Sequence, residues 1–164
     1  MKLKLIDLTT LEALTRKAAE SPRKRANHNL HPALDDPIQR LCIAGEPGTY
    51  FRPNCHRDPD TWELLVGIRG AFVLLTFNEE GMVLERHVIA PGGDVVGIEI
   101  SPRTWHTLVA MEQGSIFLEV KQGPYHPIAE KDFAAWSPPE GHAAAQTFVE
   151  WFLTAKQGDG PPRW

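Results

Sequence analysis

Residues 62–89, WELLVGIRGAFVLLTFNEEGMVLERHVI, decide the class of fold. Three apolar or alternating runs, WELLVGIR, AFVLLTF and MVLERHVI, are separated by a lone glycine, Gly70, and by the turn-forming NEEG at 78–81. Runs this short, rich in Val, Leu, Ile and Phe and closed by Gly and Asn, are strands joined by tight turns. The same texture extends in both directions. IQRLCIA and TYFR precede it, and DVVGIEI, TWHTLVA and SIFLEVKQ follow, with a PGGD turn at 91–94, giving eight strand candidates between Ile38 and Gln122. No helical period interrupts them, so the sequence predicts an antiparallel all-β sandwich or barrel. A jelly roll of two four-stranded sheets around a pocket satisfies that number.

The flanks read differently. Thr9-Thr10-Leu11-Glu12 offers a T-x-x-E capping box before apolar or small residues at 11, 14, 18 and 19, predicting an amphipathic helix over about 10–20 that Ser21-Pro22 ends. The following PRKRANHNLHPALDDP has no clean period and carries proline at both ends, so it is expected to be a loop. Beyond Gly123-Pro124 the helical period returns. Ser137-Pro138-Pro139-Glu140 resembles a second capping box, and Phe148, Trp151, Phe152 and Ala155 stand at helical spacing, predicting an apolar face for the barrel or a second subunit. The expected organisation is one structural domain overall: residues 1–37 a helix and loop, 38–126 the barrel, and 127–164 a helical extension and tail.

Bulk properties narrow the functional class. A chain of 164 residues suits a single core, and a formal charge of -4 gives no basic field for nucleic acid beyond the local Arg23-Lys24-Arg25 cluster. No apolar run approaches a membrane span, and MKLKLIDLTTLEAL has acidic residues where a signal peptide would be apolar, so a soluble cytoplasmic protein is expected. In that compartment Cys42 and Cys55 are expected to remain unpaired thiols. Strand alternation turns Cys55 away from the side shared by its neighbours.

Those neighbours carry the chemistry. On a strand, residues two apart face the same way, so Asn54 and His56 point together. Glu63 begins the next strand, on the face of Leu65 and Gly67, and His106 lies on a later strand with Thr104 and Leu108. Two imidazoles and one carboxylate converging inside a barrel form a facial site for a divalent metal with open positions. Asn54 adds only a neutral amide oxygen, a weaker ligand than imidazole.

The pattern Gly48-x5-Asn54-x-His56-x6-Glu63-x6-Gly70, followed by SPRTWH at 101–106, resembles the two cupin motifs, in which three histidines and a glutamate bind a metal. Asn54 stands where the first histidine is usual, and Pro102 falls one place later than the second motif's proline. Longer segments, SPRKRANHNLHPALDDPIQRL, EPGTYFRP, WHTLVAMEQGS, FLEVKQGPYHP and KDFAAWSPPEG, are similar to the WbuC-type cupin-fold metalloproteins over about residues 20–140. That resemblance implies a cupin double-stranded β-helix with flanking helices, a Zn, Fe, Ni or Mn ion on His56, Glu63 and His106, and a homodimer. It also implies a bacterial setting in surface-polysaccharide metabolism.

The polar segment Arg23, Arg25, Asn27, His28 and His31 is either a solvated loop or the binding edge for a small polar or anionic, sugar-derived substrate. His28 and Tyr125 are candidate acid or base groups, and Asn54 a candidate for holding water or substrate. Two functions remain open at this point. One is a metal-dependent isomerase, epimerase or oxygenase; the other is a ligand-binding or sensing protein whose metal site Asn54 has weakened.

Overall fold

The computed structural model describes residues 3–57 and 61–164. Its eight strands are β1 (Arg25–Asn29), β2 (Ile38–Gly45), β3 (Glu63–Arg69), β4 (Phe72–Phe77), β5 (Val83–Ile89), β6 (Gly97–Ile100), β7 (Trp105–Ala110) and β8 (Ser115–Gln122). Helix α1 (Leu8–Glu20) precedes them and helix α2 (Ala145–Thr154) follows. The larger sheet has the order β1-β2-β8-β3-β6 and the smaller β5-β4-β7, antiparallel throughout. This is the jelly roll that the strand pattern predicts, divided five and three rather than four and four.

Two segments account for the uneven division. RANHN, expected to be a loop, is β1, whose residues pair in register with Leu41–Gly45 and cover an edge that β2 would otherwise leave open. TYFR, expected to be a strand, makes no ladder: Thr49 Oγ1 donates to the Arg23 carbonyl and Tyr50 Oη to the Pro138 carbonyl, so its side chains tie the loops together. Burial pushes the Tyr50 phenol up to about 12, keeping it a donor. Of the two turns, NEEG closes the β4–β5 hairpin, whereas PGGD carries the chain from the smaller sheet to the larger.

Strand alternation sorts the core into layers. On β4, Val73, Leu75 and Phe77 face outward to Phe148, Val149 and Phe152 of α2, while Phe72 and Leu74 face inward to Leu65, Leu108 and Phe117. A strand buried on both faces needs a nearly continuous apolar run, which FVLLTF supplies with Thr76 as its one polar residue. On the opposite side Leu11, Leu14 and Ala18 of α1 cover Cys42, Ala44 and Ile116. Cys42 and Cys55 are free, buried thiols in different layers.

The helix ends differ from the sequence expectation. Asp7, not Thr9, caps α1 by accepting the Thr10 amide at 2.9 Å. Ser137–Glu140 does not start α2: Ser137 Oγ donates to the Ala134 carbonyl, and Glu140 pairs with Arg23 and Arg25. The apolar face of α2 is nevertheless the one its spacing predicts.

Gly70 makes the β3–β4 turn with a φ of +62°, and a Cβ there would lie 2.3 Å from Ser115 Oγ. Left-handed backbone costs a non-glycine residue about 1–2 kcal/mol before any overlap. Gly70→Ala is therefore expected to lose at least that much stability in urea unfolding; an unchanged midpoint would contradict this account of the turn.

Candidate metal and ligand site

The two sheets leave one end of the barrel open, and a cavity of about 490 Å³ enters there. Its polar centre is Glu63, at the start of β3, with a side chain 6% exposed. Glu63 Oε1 lies 3.0 Å from His56 Nε2 and 3.2 Å from Lys121 Nζ, and Oε2 lies 3.0 Å from His106 Nε2. Three donors from three segments thus converge on one carboxylate.

Local backbone pairing aims each of them. Asn54 exchanges backbone hydrogen bonds with His106 on β7, at 3.1 and 3.0 Å, and the Arg103 amide donates to the His56 carbonyl. Opposed residues share a face, so Asn54 turns inward beside His106 and His56 follows two residues later. Cys55 turns the other way into the layer under α2, as alternation requires. Residues 53–55 make only this bridge and a second to 132–134, not a full strand. The chain from His56 to Glu63 includes 58–60, outside the described residues.

The hydrogen-bond pattern fixes proton positions. His106 Nδ1 is 2.9 Å from the Thr104 carbonyl, which can only accept, so Nδ1 carries a proton. Nε2 faces a carboxylate oxygen of Glu63 at 3.0 Å, an arrangement that favours a charged His106 against an ionised Glu63. Burial opposes both charges, but their mutual hydrogen bond raises the His106 value. Burial likewise pushes Glu63 up, yet hydrogen bonds from His106 and His56 and the His106 and Lys121 charges hold it well below the usual carboxylate range. Among the described residues, no group of three or more His, Cys, Asp and Glu side chains stands ready to hold a metal ion in this arrangement.

Two charged groups were not anticipated from the sequence. Lys121 bridges Glu63 and Glu119, reaching Glu119 Oε1 at 2.8 Å, and both residues line the cavity. Burial lowers the Lys121 value, but the two carboxylates outweigh it and raise it; burial also raises Glu119. A signal existed in SIFLEVKQ: with Phe117 facing the core, alternation sends Glu119 and Lys121 inward as well, an uncommon place for charges unless paired.

The remaining candidates separate. Arg23, Arg25, Asn27, His31, Asn54 and Tyr125 all line the cavity. Both guanidinium groups are already engaged, Arg23 by two hydrogen bonds to Glu140 and Arg25 by Glu140 and the Tyr50 carbonyl. His28 is exposed and does not line the cavity. On β1 it alternates with Asn27 and Asn29, sharing the face that Ala26 turns toward α1, and so cannot serve as acid or base there. The Asn54 amide nitrogen donates to the Arg52 carbonyl, and its Oδ1 is buried without a partner among the described residues.

Removing one member of a buried charge cluster strands the others, typically at about 3–5 kcal/mol. Lys121→Met is expected to destabilise the protein on that scale in urea unfolding, and adding Glu119→Gln should restore a substantial part. Equal stability of the single and double variants would show that Lys121 and Glu119 are not energetically coupled.

The fold recurs in solved structures of low sequence identity. "Oxalate oxidase in complex with substrate analogue glycolate" aligns with a TM-score of 0.53 and 13% identity over 68% of this chain, which spans 57% of that one. The TT1209 protein of Thermus thermophilus aligns at 0.51 and 18%, covering 74% of this chain and 97% of that one. The SPY1581 protein of Streptococcus pyogenes aligns at 0.51 and 14%, covering 77% and 92%. These likenesses are of fold, and no curated protein matches the chain. A family model covers residues 6–89, just over half of the sequence and the stretch holding Asn54, His56 and Glu63, so the chain belongs to the family described as "Domain of unknown function (DUF6016)".

Proposed function

We propose that this protein is a metal-binding enzyme of the cupin fold, acting on a small, sugar-derived compound in bacterial surface-polysaccharide metabolism. One observation carries the reading: two imidazoles from separate segments meet opposite oxygens of a single buried carboxylate at 3.0 Å each, facing a cavity. His56, Glu63 and His106 are the residues that would hold a divalent Zn, Fe, Ni or Mn ion. The Thr104 carbonyl supports this by fixing Nε2 as the inward nitrogen of His106, as outer partners of metal-bound histidines do. Asn54 Oδ1, buried and without a partner among the described residues, adds a neutral acceptor beside them for a water or a substrate hydroxyl. The ion would replace protons that the imidazoles now share with Glu63.

A metal held there would supply Lewis acidity, and redox chemistry as well if it were iron. The protein's own groups do the rest. Lys121 keeps Glu63 ionised and aimed, Asn54 accepts from a hydroxyl or a water, and Tyr125, lining the cavity with its side chain partly in solvent, is placed to donate or take a proton. Isomerisation, epimerisation and oxygenation all remain within this chemistry. The polysaccharide setting, the WbuC-type assignment and a homodimer rest on the resemblance of residues 20–140; two buried unpaired thiols suit the reducing compartment of a cytoplasmic protein.

Lys121 favours one rival. An ammonium already neutralising Glu63 suits a barrel that binds ligand without a metal. Elemental analysis of untagged protein purified without added metal separates the two. Near-stoichiometric metal in the wild type, lost in His106→Ala and retained more tightly in Asn54→His, is expected. An empty wild type beside a loaded Asn54→His variant would overturn the metalloenzyme reading in favour of a ligand-binding protein.

A further inference from the structure

The inner face of the larger sheet carries a polar row extending well past Glu63. The β3–β8 register sets Glu63 opposite Lys121, and the β2–β8 register sets Lys121 opposite Gln39. Continuing the β1–β2 register two steps beyond Asn29 and Leu41 brings His31 opposite Gln39. Residues in such a row share a face, and all four line the cavity.

His31 ends the row with an unused donor. Only 6% exposed, it stands where β1 leaves the ladder. The Arg40 carbonyl accepts the Leu30 amide at 2.8 Å, so the backbone groups of Arg40 face this side, and the Arg40 amide meets His31 Nδ1 at 3.0 Å. The same carbonyl lies 3.0 Å from Nδ1, but it is already engaged. The tautomer that satisfies the Arg40 amide makes Nδ1 the acceptor and puts the proton on Nε2. His31 Nε2 is buried with no partner among the described residues. A donor left so carries an uncompensated desolvation cost, which an acceptor atom of a ligand would remove.

We infer that the cavity binds a carbohydrate of two linked rings, one ring at the His56–Glu63–His106 end and an acceptor oxygen of the other on His31 Nε2–H. The position of the first ring rests on the function proposed above. Length leaves room for two rings: along the sheet, β3 and β1 are three strand spacings apart, about 14–15 Å between backbones. Lining supports them, because Leu41, Leu65, Leu108 and Phe117 offer apolar surface for C–H faces while Asn29 and Asn54 offer amides to hydroxyls. Charge argues against a nucleotide diphosphate, since both nearby guanidinium groups are committed to Glu140.

Isothermal titration with gluco-, galacto- and manno-configured disaccharides, each with and without a terminal uronate, tests this beside the matching monosaccharides. His31→Asn is the informative variant, because its side-chain oxygen can stand in for Nδ1 toward the Arg40 amide while the Nε2 donor is lost. At least one disaccharide is expected to bind the wild type roughly tenfold or more tighter than its monosaccharide, the His31→Asn variant losing that advantage. Metal content in His31→Asn should equal wild type. The inference is overturned if no disaccharide outbinds its monosaccharide, or if His31→Asn binds as wild type does. Disaccharide binding that depends on His31 in a protein holding no metal would sink the metal reading alone and leave the distal subsite standing.

Discussion

A single ionised carboxylate inside the barrel sets the terms for the rest of the molecule. Glu63 is nearly excluded from water, and an isolated carboxylate so placed would protonate rather than remain charged. It stays charged because donors arrive from the loop at 53–56, from β7 and from β8. Each depends on a different piece of backbone pairing: Asn54 against His106, β4 against β7, and β8 between β2 and β3. A slip of one residue in β8 would send Lys121 outward and an apolar neighbour inward, so the charge cluster and the strand register specify one another.

The inner face of the larger sheet is divided along the strands. Near the open end the rows hold His31, Gln39, Lys121 and Glu63, then Asn29 and Glu119 among leucines; deeper rows hold Ile43 and Phe117 and merge with the apolar layer of Phe72 and Leu108. Polar rows inside a sandwich weaken it, and the compensation lies outside. Helix α1 covers the larger sheet and α2 the smaller, giving β4 and β7 apolar contacts on both faces. The open end is therefore supported by packing that the cavity does not interrupt.

Sequence reasoning reached the parts of this arrangement that depend on short-range order. Seven of the observed strands and both helices follow from apolar spacing and punctuation, and alternation alone turned His106 inward with Leu108 and Cys55 away from Asn54 and His56. It missed what depends on partners distant in the chain. RANHN has no strand pattern of its own and is extended because β2 offers an open edge. Arg23 and Arg25 look like an anion site until Glu140, more than a hundred residues later, occupies both. Glu119 and Lys121 sat in a recognised strand, but their charge concealed the inward direction that Phe117 implied.

Asn54 is where local and distant constraints meet. Pairing with His106 forces its side chain inward, and the hydrogen bond from its amide nitrogen to the Arg52 carbonyl leaves Oδ1 as the atom facing the site. That oxygen is an acceptor without a donor, while His31 Nε2 is a donor without an acceptor. Two buried orphans of opposite sense, on residues lining one cavity, each carry a cost that no contact among the described residues relieves. A ligand satisfying both must present a donor beside the Glu63 cluster and an acceptor near the end of β1, so the cavity imposes a direction on what it holds as well as a length.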